Sequence, residues 1–227
     1  MFAKKTLVAA AALLAVAGAA QAQSSVKLYG YIEASVGSFE DFNFGTMTTD
    51  RATKVESGNM MTSYIGLSGS EDLGGGLKAE FALESFLAGD SGATLGNMSG
   101  GFWGRGSFLA LSGGFGTVKL GRHDTSFDDI RDLTVSSNLW DSEFSATKIA
   151  YTAGVADYSS RASNQIRYES PSFGGFSLGA SYGLDEDATV KADTTAFNLR
   201  YRAGNLDLGV GYQEQKANNR EYTTIGG

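Results

Sequence analysis

The chain has 227 residues, 42% of them aliphatic, aromatic or sulfur-bearing, enough for one domain or two small ones and too apolar for a disordered polymer. No cysteine and a single histidine exclude thiol chemistry, a disulfide-stapled scaffold and most metal centres, so no cofactor, metal or catalytic group is expected. Lys and Arg number 18 against 25 Asp and Glu, the wrong balance for a nucleic-acid partner.

Residues 1–22 read as a secretory signal: Met1-Phe2-Ala3-Lys4-Lys5, an apolar run from Leu7 to Ala20, and the small-x-small triplet Ala20-Gln21-Ala22. The run is shorter than the roughly 20 residues a spanning helix needs. Cleavage after Ala22 leaves residues 23–227 and removes Lys4 and Lys5, so 16 basic side chains face 25 acidic ones, a balance of −9. No later stretch is long and apolar enough for a membrane helix; any crossing must use strands.

From residue 26 onward the hydrophobic period is two. Val26 to Val36 alternates Val26, Leu28, Gly30, Ile32 with Lys27, Tyr29, Tyr31, Glu33. Leu77, Ala79, Phe81 and Leu83 oppose Lys78, Glu80, Ala82 and Glu84. Phe176, Leu178, Ala180 and Tyr182 oppose Ser177, Gly179 and Ser181; Phe197, Leu199 and Tyr201 oppose Asn198, Arg200 and Arg202. Leu206, Leu208, Val210 and Tyr212 oppose Asp207, Gly209, Gly211 and Gln213. Each segment is a two-faced strand. Such strands build either a soluble sandwich or a membrane barrel with lipid-facing apolar and lumen-facing polar side chains.

Connections and aromatics favour the barrel. Glycine turns at Glu71–Gly76, Ser112–Gly116, Pro171–Gly175 and Ala203–Asn205 alternate with long polar loops near 39–60, 87–101, 123–160 and 184–193. Tyr29, Phe81, Phe86, Phe102, Trp103, Phe108, Tyr182, Tyr201 and Tyr212 fall near strand ends, as interfacial girdles do. The expected fold is all-β, a transmembrane antiparallel β-barrel, with about nine strands in this chain.

The segments also resemble a known family. Ser24-Ser25-Val26-Lys27-Leu28-Tyr29-Gly30 is similar to the mature start of the general diffusion porins of β-proteobacteria and their neisserial relatives. Gly66 to Ala79 resembles that family's second hairpin, Trp103 to Gly113 its fourth strand, Phe115 to Arg122 its fifth and Ile166 to Pro171 its sixth. The resemblance implies a homotrimer of 16-stranded barrels in the outer membrane of a Gram-negative bacterium. Each barrel would be a water-filled channel for passive diffusion of small hydrophilic solutes and ions, its lipid and solutes the only further partners. A non-conducting barrel serving as adhesin or structural protein is the alternative. The family's length and its terminal aromatic are absent: the chain ends at Thr224-Ile225-Gly226-Gly227, in what should be a fifth long loop. The sequence therefore reads as the N-terminal portion of a longer porin, with a truncated product or a small closed barrel as alternatives.

The resemblance also implies that the third long loop folds inward to constrict the pore. Here it carries Asp124, Asp128, Asp129, Asp132 and Asp141, opposed by a basic wall of Arg105, Arg122 and Arg167, with Lys78, Glu80 and Glu84 lining the wall elsewhere. Arg105 and Arg122 share parity with apolar neighbours, so they face the lumen only if a bulge at Gly104, Gly106 or Gly121 re-aims them, and otherwise sit at the rim. Arg167 is on a polar face beside Glu169, as an eyelet charge or a plain wall charge. Tyr64 and Ser68 stand where the family commonly has basic residues, which implies weak anion preference or mild cation preference. His123 beside Asp124 suggests a catalytic pair, but no Gly-x-Ser-x-Gly elbow accompanies it. The loop carboxylates match no EF-hand spacing.

Overall fold

The computed structural model describes residues 25–43, 46–94, 101–134, 158–185, 193–217 and 219–227; the secretory signal and Asp141 lie outside them. Ten strands form one antiparallel sheet: β1 (Ser25–Tyr31), β4 (Tyr64–Gly74), β5 (Leu77–Phe86), β6 (Gly106–Gly113), β7 (Gly116–Asp124), β8 (Arg161–Glu169), β9 (Phe176–Gly183), β10 (Thr194–Ala203), β11 (Leu206–Gln215) and β12 (Arg220–Gly226), neighbours in that order. Two more, β2 (Ser35–Asn43) and β3 (Thr48–Glu56), pair only with each other, and one helix, α1 (Asp128–Thr134), follows β7. Among the described residues no helix is long and apolar enough to cross a membrane.

All four glycine turns fall where the sequence places them. Gly74, Gly75, Gly76, Gly116, Gly174, Gly175 and Gly204 have positive φ, which glycine adopts without a Cβ penalty. Cross-strand register then fixes the faces. Tyr29, Gly66, Glu84 and Gly106 are successive partners on one face, and Leu109, Leu120, Ile166 and Tyr182 on the other.

The second face is apolar and open: Val26 is 73% exposed, Leu109 66% and Ile225 79%, with Leu28, Leu120, Ile166, Phe197, Leu199 and Leu208 also exposed. A continuous apolar surface of this kind marks a membrane or a partner, because in water it would cost free energy in proportion to its area. The small buried cluster lies on the inner face, where Phe127 and Tyr158 pack on Ala196 with Tyr222 against them.

The structure corrects the sequence reading at four places. Among the described residues there are twelve strands, ten of them in the sheet, not about nine. Residues 220–226 pair with β11 rather than lying in a loop. Much of the supposed loop 39–60 is the β2–β3 hairpin, and the strand expected to run from Val26 to Val36 breaks after Tyr31. At that break the buried Glu33 carboxylate accepts hydrogen bonds from the Gly58 N–H (2.5 Å) and the Asn59 N–H (3.2 Å), closing the base of the hairpin. Finally, Tyr29 and Phe108 are not girdle residues. The Tyr29 hydroxyl donates to Glu84 (2.6 Å), and Phe108 lines the inner cleft beside His123.

Candidate functional site

The polar face of β5 to β10 and the segment after β7 enclose a cleft of about 510 Å³. Its wall carries five basic side chains (Arg105, Lys119, Arg167, Arg200, Arg202) and four carboxylates (Glu84, Asp124, Asp129, Glu169). Strand alternation accounts for most of this set, since Lys119, Arg167, Arg200 and Arg202 all point away from the apolar face.

The segment after β7 turns inward and lies along the wall. Thr125 Oγ1 donates to Gln213 Oε1 (2.7 Å), the Ser126 N–H to Ser181 Oγ (3.0 Å), and Asn198 Nδ2 to the Ser126 carbonyl (2.6 Å). Arg167, 5% exposed, is the hub: Nη1 donates to the Asp124 (2.8 Å) and Thr125 (3.2 Å) carbonyls, while Nη2 pairs with Asp129 and with Glu169 at 2.8 Å. Glu169 in turn accepts from Lys119 at 2.9 Å. The two carboxylates and two carbonyls around Nη1 and Nη2 offset the charge of this buried guanidinium, while its buried Nε makes no hydrogen bond among the described residues.

The loop acids occupy distinct surroundings. Asp128 does not face the cleft: its Oδ1 sits at 3.0 Å from both Tyr158 Oη and Arg131 Nη2, and burial pushes its carboxyl up to about 7 against the pull of Arg131. Burial opposes the Arg131 charge, yet Asp128, Tyr158 and Asp132 hold that guanidinium above its ordinary range. Asp129 lines the cleft and is raised by burial, although Arg167 pulls it down. Asp132 is exposed and pairs with Arg131 (3.0 Å). Asp124 lines the cleft and pairs with Arg161 (2.8 Å).

Of the three arginines assigned to the wall, two line the cleft. Arg105 stands with Nε 3.1 Å from Glu84 and its guanidinium 4.1 Å from the Tyr64 ring centroid, a cation–π contact that fixes it over the inner face. Arg122 keeps the parity of Val118 and Leu120 and does not line the cleft; it donates to the Gly104 carbonyl (2.7 Å) and Ser163 Oγ (3.0 Å). The register does shift between Gly121 and His123, with Asn164 of β8 at φ 52° opposite, but Arg122 stays outside. Glu84 lines this cleft, Glu80 a second hollow toward the glycine turns, and Lys78 is exposed at the end of β5. His123 is buried, with Nδ1 2.9 Å from Gln165 Nε2 and 3.0 Å from the Asp124 carbonyl. Among the described residues no group of three or more His, Asp or Glu could hold a metal ion.

Sequence reasoning left Lys119, Arg161, Arg200 and Arg202 out of the site. For Arg200 and Arg202 the signal was present, as both oppose Phe197, Leu199 and Tyr201. Their shared partner Asp207, which Arg200 grips through Nε (2.7 Å) and Nη2 and Arg202 through Nε (3.1 Å), lies on the next strand.

Comparison with known proteins follows the same lines. The sequence profile of the Gram-negative porin family matches residues 9–227. The chain is 38% identical to outer membrane porin protein 32 of Delftia acidovorans, over 98% of this chain and 65% of that protein. It is 31% identical to the major outer membrane protein P.IB of Neisseria gonorrhoeae, over 88% of this chain and 53% of that protein. Among solved structures, the anion-selective porin from Comamonas acidovorans superposes with a TM-score of 0.60 at 30% identity, over 85% of this chain and 57% of that one. The chain thus spans between half and two thirds of the length of these relatives.

Proposed function

The chain belongs to the Gram-negative porin family, and from that premise we propose that it forms the wall and constriction of an outer-membrane channel for passive diffusion of small hydrophilic solutes and ions. One observation carries this reading. The sheet presents apolar side chains outward and a charged, water-accessible cleft inward, with the segment after β7 folded into that cleft. A barrel of this polarity replaces the hydrocarbon barrier with water, and the inward segment limits what passes. No covalent step is involved, and trimerisation belongs to the same reading.

Ion preference follows from the cleft and not from the net charge. Five basic groups face four carboxylates there, and Asp128 is turned away, so a weak anion preference is expected. Arg105, Arg167, Asp124 and Asp129 are the constriction residues of this reading, with Arg200 and Arg202 continuing the basic side. Swelling of liposomes carrying the full-length protein tests it. Monosaccharides should enter freely and larger sugars progressively less; impermeable vesicles would favour the non-conducting barrel.

A further inference from the structure

We propose that Gly209 and Gly211 are positioning residues that set the width of the channel, by forming a notch in β11 that seats Ile130 of α1; this deepens, and rests on, the diffusion-channel reading. Alternation puts both glycines on the inner face, between Asp207 and Gln213. Neither has a positive φ, so the backbone does not require glycine at either position. Space does. A Cβ at 209 would lie 2.5 Å from Ile130 Cδ1 and 3.2 and 3.3 Å from its Cγ2 and Cγ1. A Cβ at 211 would lie 3.1 Å from Thr224 Cγ2 on β12, 3.3 Å from Ile130 Cβ and 3.4 Å from Phe127 Cδ2. Ile130 is fully buried, so it cannot swing aside into solvent.

The seat bears on the aperture because of what adjoins it. Asp129 precedes Ile130 and faces the cleft, tied to Arg167 and Asn198. Filling the notch pushes α1 off the wall and toward the cleft, carrying Asp129 with it. A side chain larger than hydrogen on β11 therefore narrows the passage, and shortening Ile130 compensates.

The test uses full-length protein in planar bilayers and liposomes. Gly209→Val should give folded protein in the parent's yield, with reduced single-channel conductance and loss of trisaccharide permeation. Gly209→Val with Ile130→Ala should restore both, a reciprocity that a general loss of stability would not produce. In a chain without cysteine, Gly211→Cys with Ile130→Cys should cross-link on oxidation, since the 3.3 Å spacing is near the roughly 3.8 Å usual between disulfide Cβ atoms. That cross-link decides the matter even where Gly209→Val fails to assemble. No cross-link, or a Gly209→Val channel conducting like its parent, overturns the notch and leaves the channel reading standing. A parent that conducts nothing overturns both.

Discussion

Asp128 of α1 and Arg167 of β8 show how differently two buried charges can be held around one inward segment. Asp128 is raised by burial from 3.8 to about 7, so between those values the folded protein holds a proton that the unfolded chain releases. Its contribution to stability is complete at acid pH and is lost as pH rises through about 7, and Asp129, raised by the same cause, acts in the same direction. The unfolding temperature of the detergent-solubilised protein should therefore fall on going from about pH 5 to about pH 8, and Asp128→Asn should flatten that slope. Arg167 acts through compensation rather than titration. Arg167→Met strands Asp129 and Glu169 beside each other and frees the Asp124 and Thr125 carbonyls, costing about 2–4 kcal/mol in denaturant unfolding. The same substitution should move the reversal potential toward cations.

Strands and turns respond to substitution according to the room around their backbone. Gly121 combines φ 131° with a would-be Cβ 2.2 Å from the Ser107 carbonyl oxygen, so Gly121→Val should sharply lower the yield of folded protein. Gly114 in the β6–β7 turn has nothing within 4 Å and should accept alanine with little change in yield. The strands that were legible in the sequence are those with one apolar face, such as β5 and β11. The β2–β3 hairpin was not, because Thr48–Glu56 is polar on both faces and pairs outside the sheet. β12 has the same difficulty: Arg220–Gly226 offers only Tyr222 and Ile225 as apolar side chains, one on each face.

Taken whole, the molecule is polarised across its sheet, apolar outside and charged within. Leu109→Arg, on the outer face, should cost about 2–4 kcal/mol if that position lies near the bilayer midplane, whereas the same change at Ser177, which lines the cleft, should fold normally and strengthen anion preference. The architecture was readable because strand period and turn asymmetry are local. The charge arrangement was only half readable, because it depends on pairs distant in sequence: Arg167 with Asp129, Arg161 with Asp124, Lys119 with Glu169. Parity set Arg200 and Arg202 opposite the apolar face, but nothing local showed that Asp128 would turn its carboxylate to Tyr158.

The reversal potential of the reconstituted full-length protein across a KCl gradient tests the proposed water-filled, weakly basic passage most directly. A sustained current with a potential of the sign for chloride, reduced in Arg200→Gln/Arg202→Gln, is the expected result. Absence of current, or a cation-selective potential indifferent to those two arginines, would contradict it.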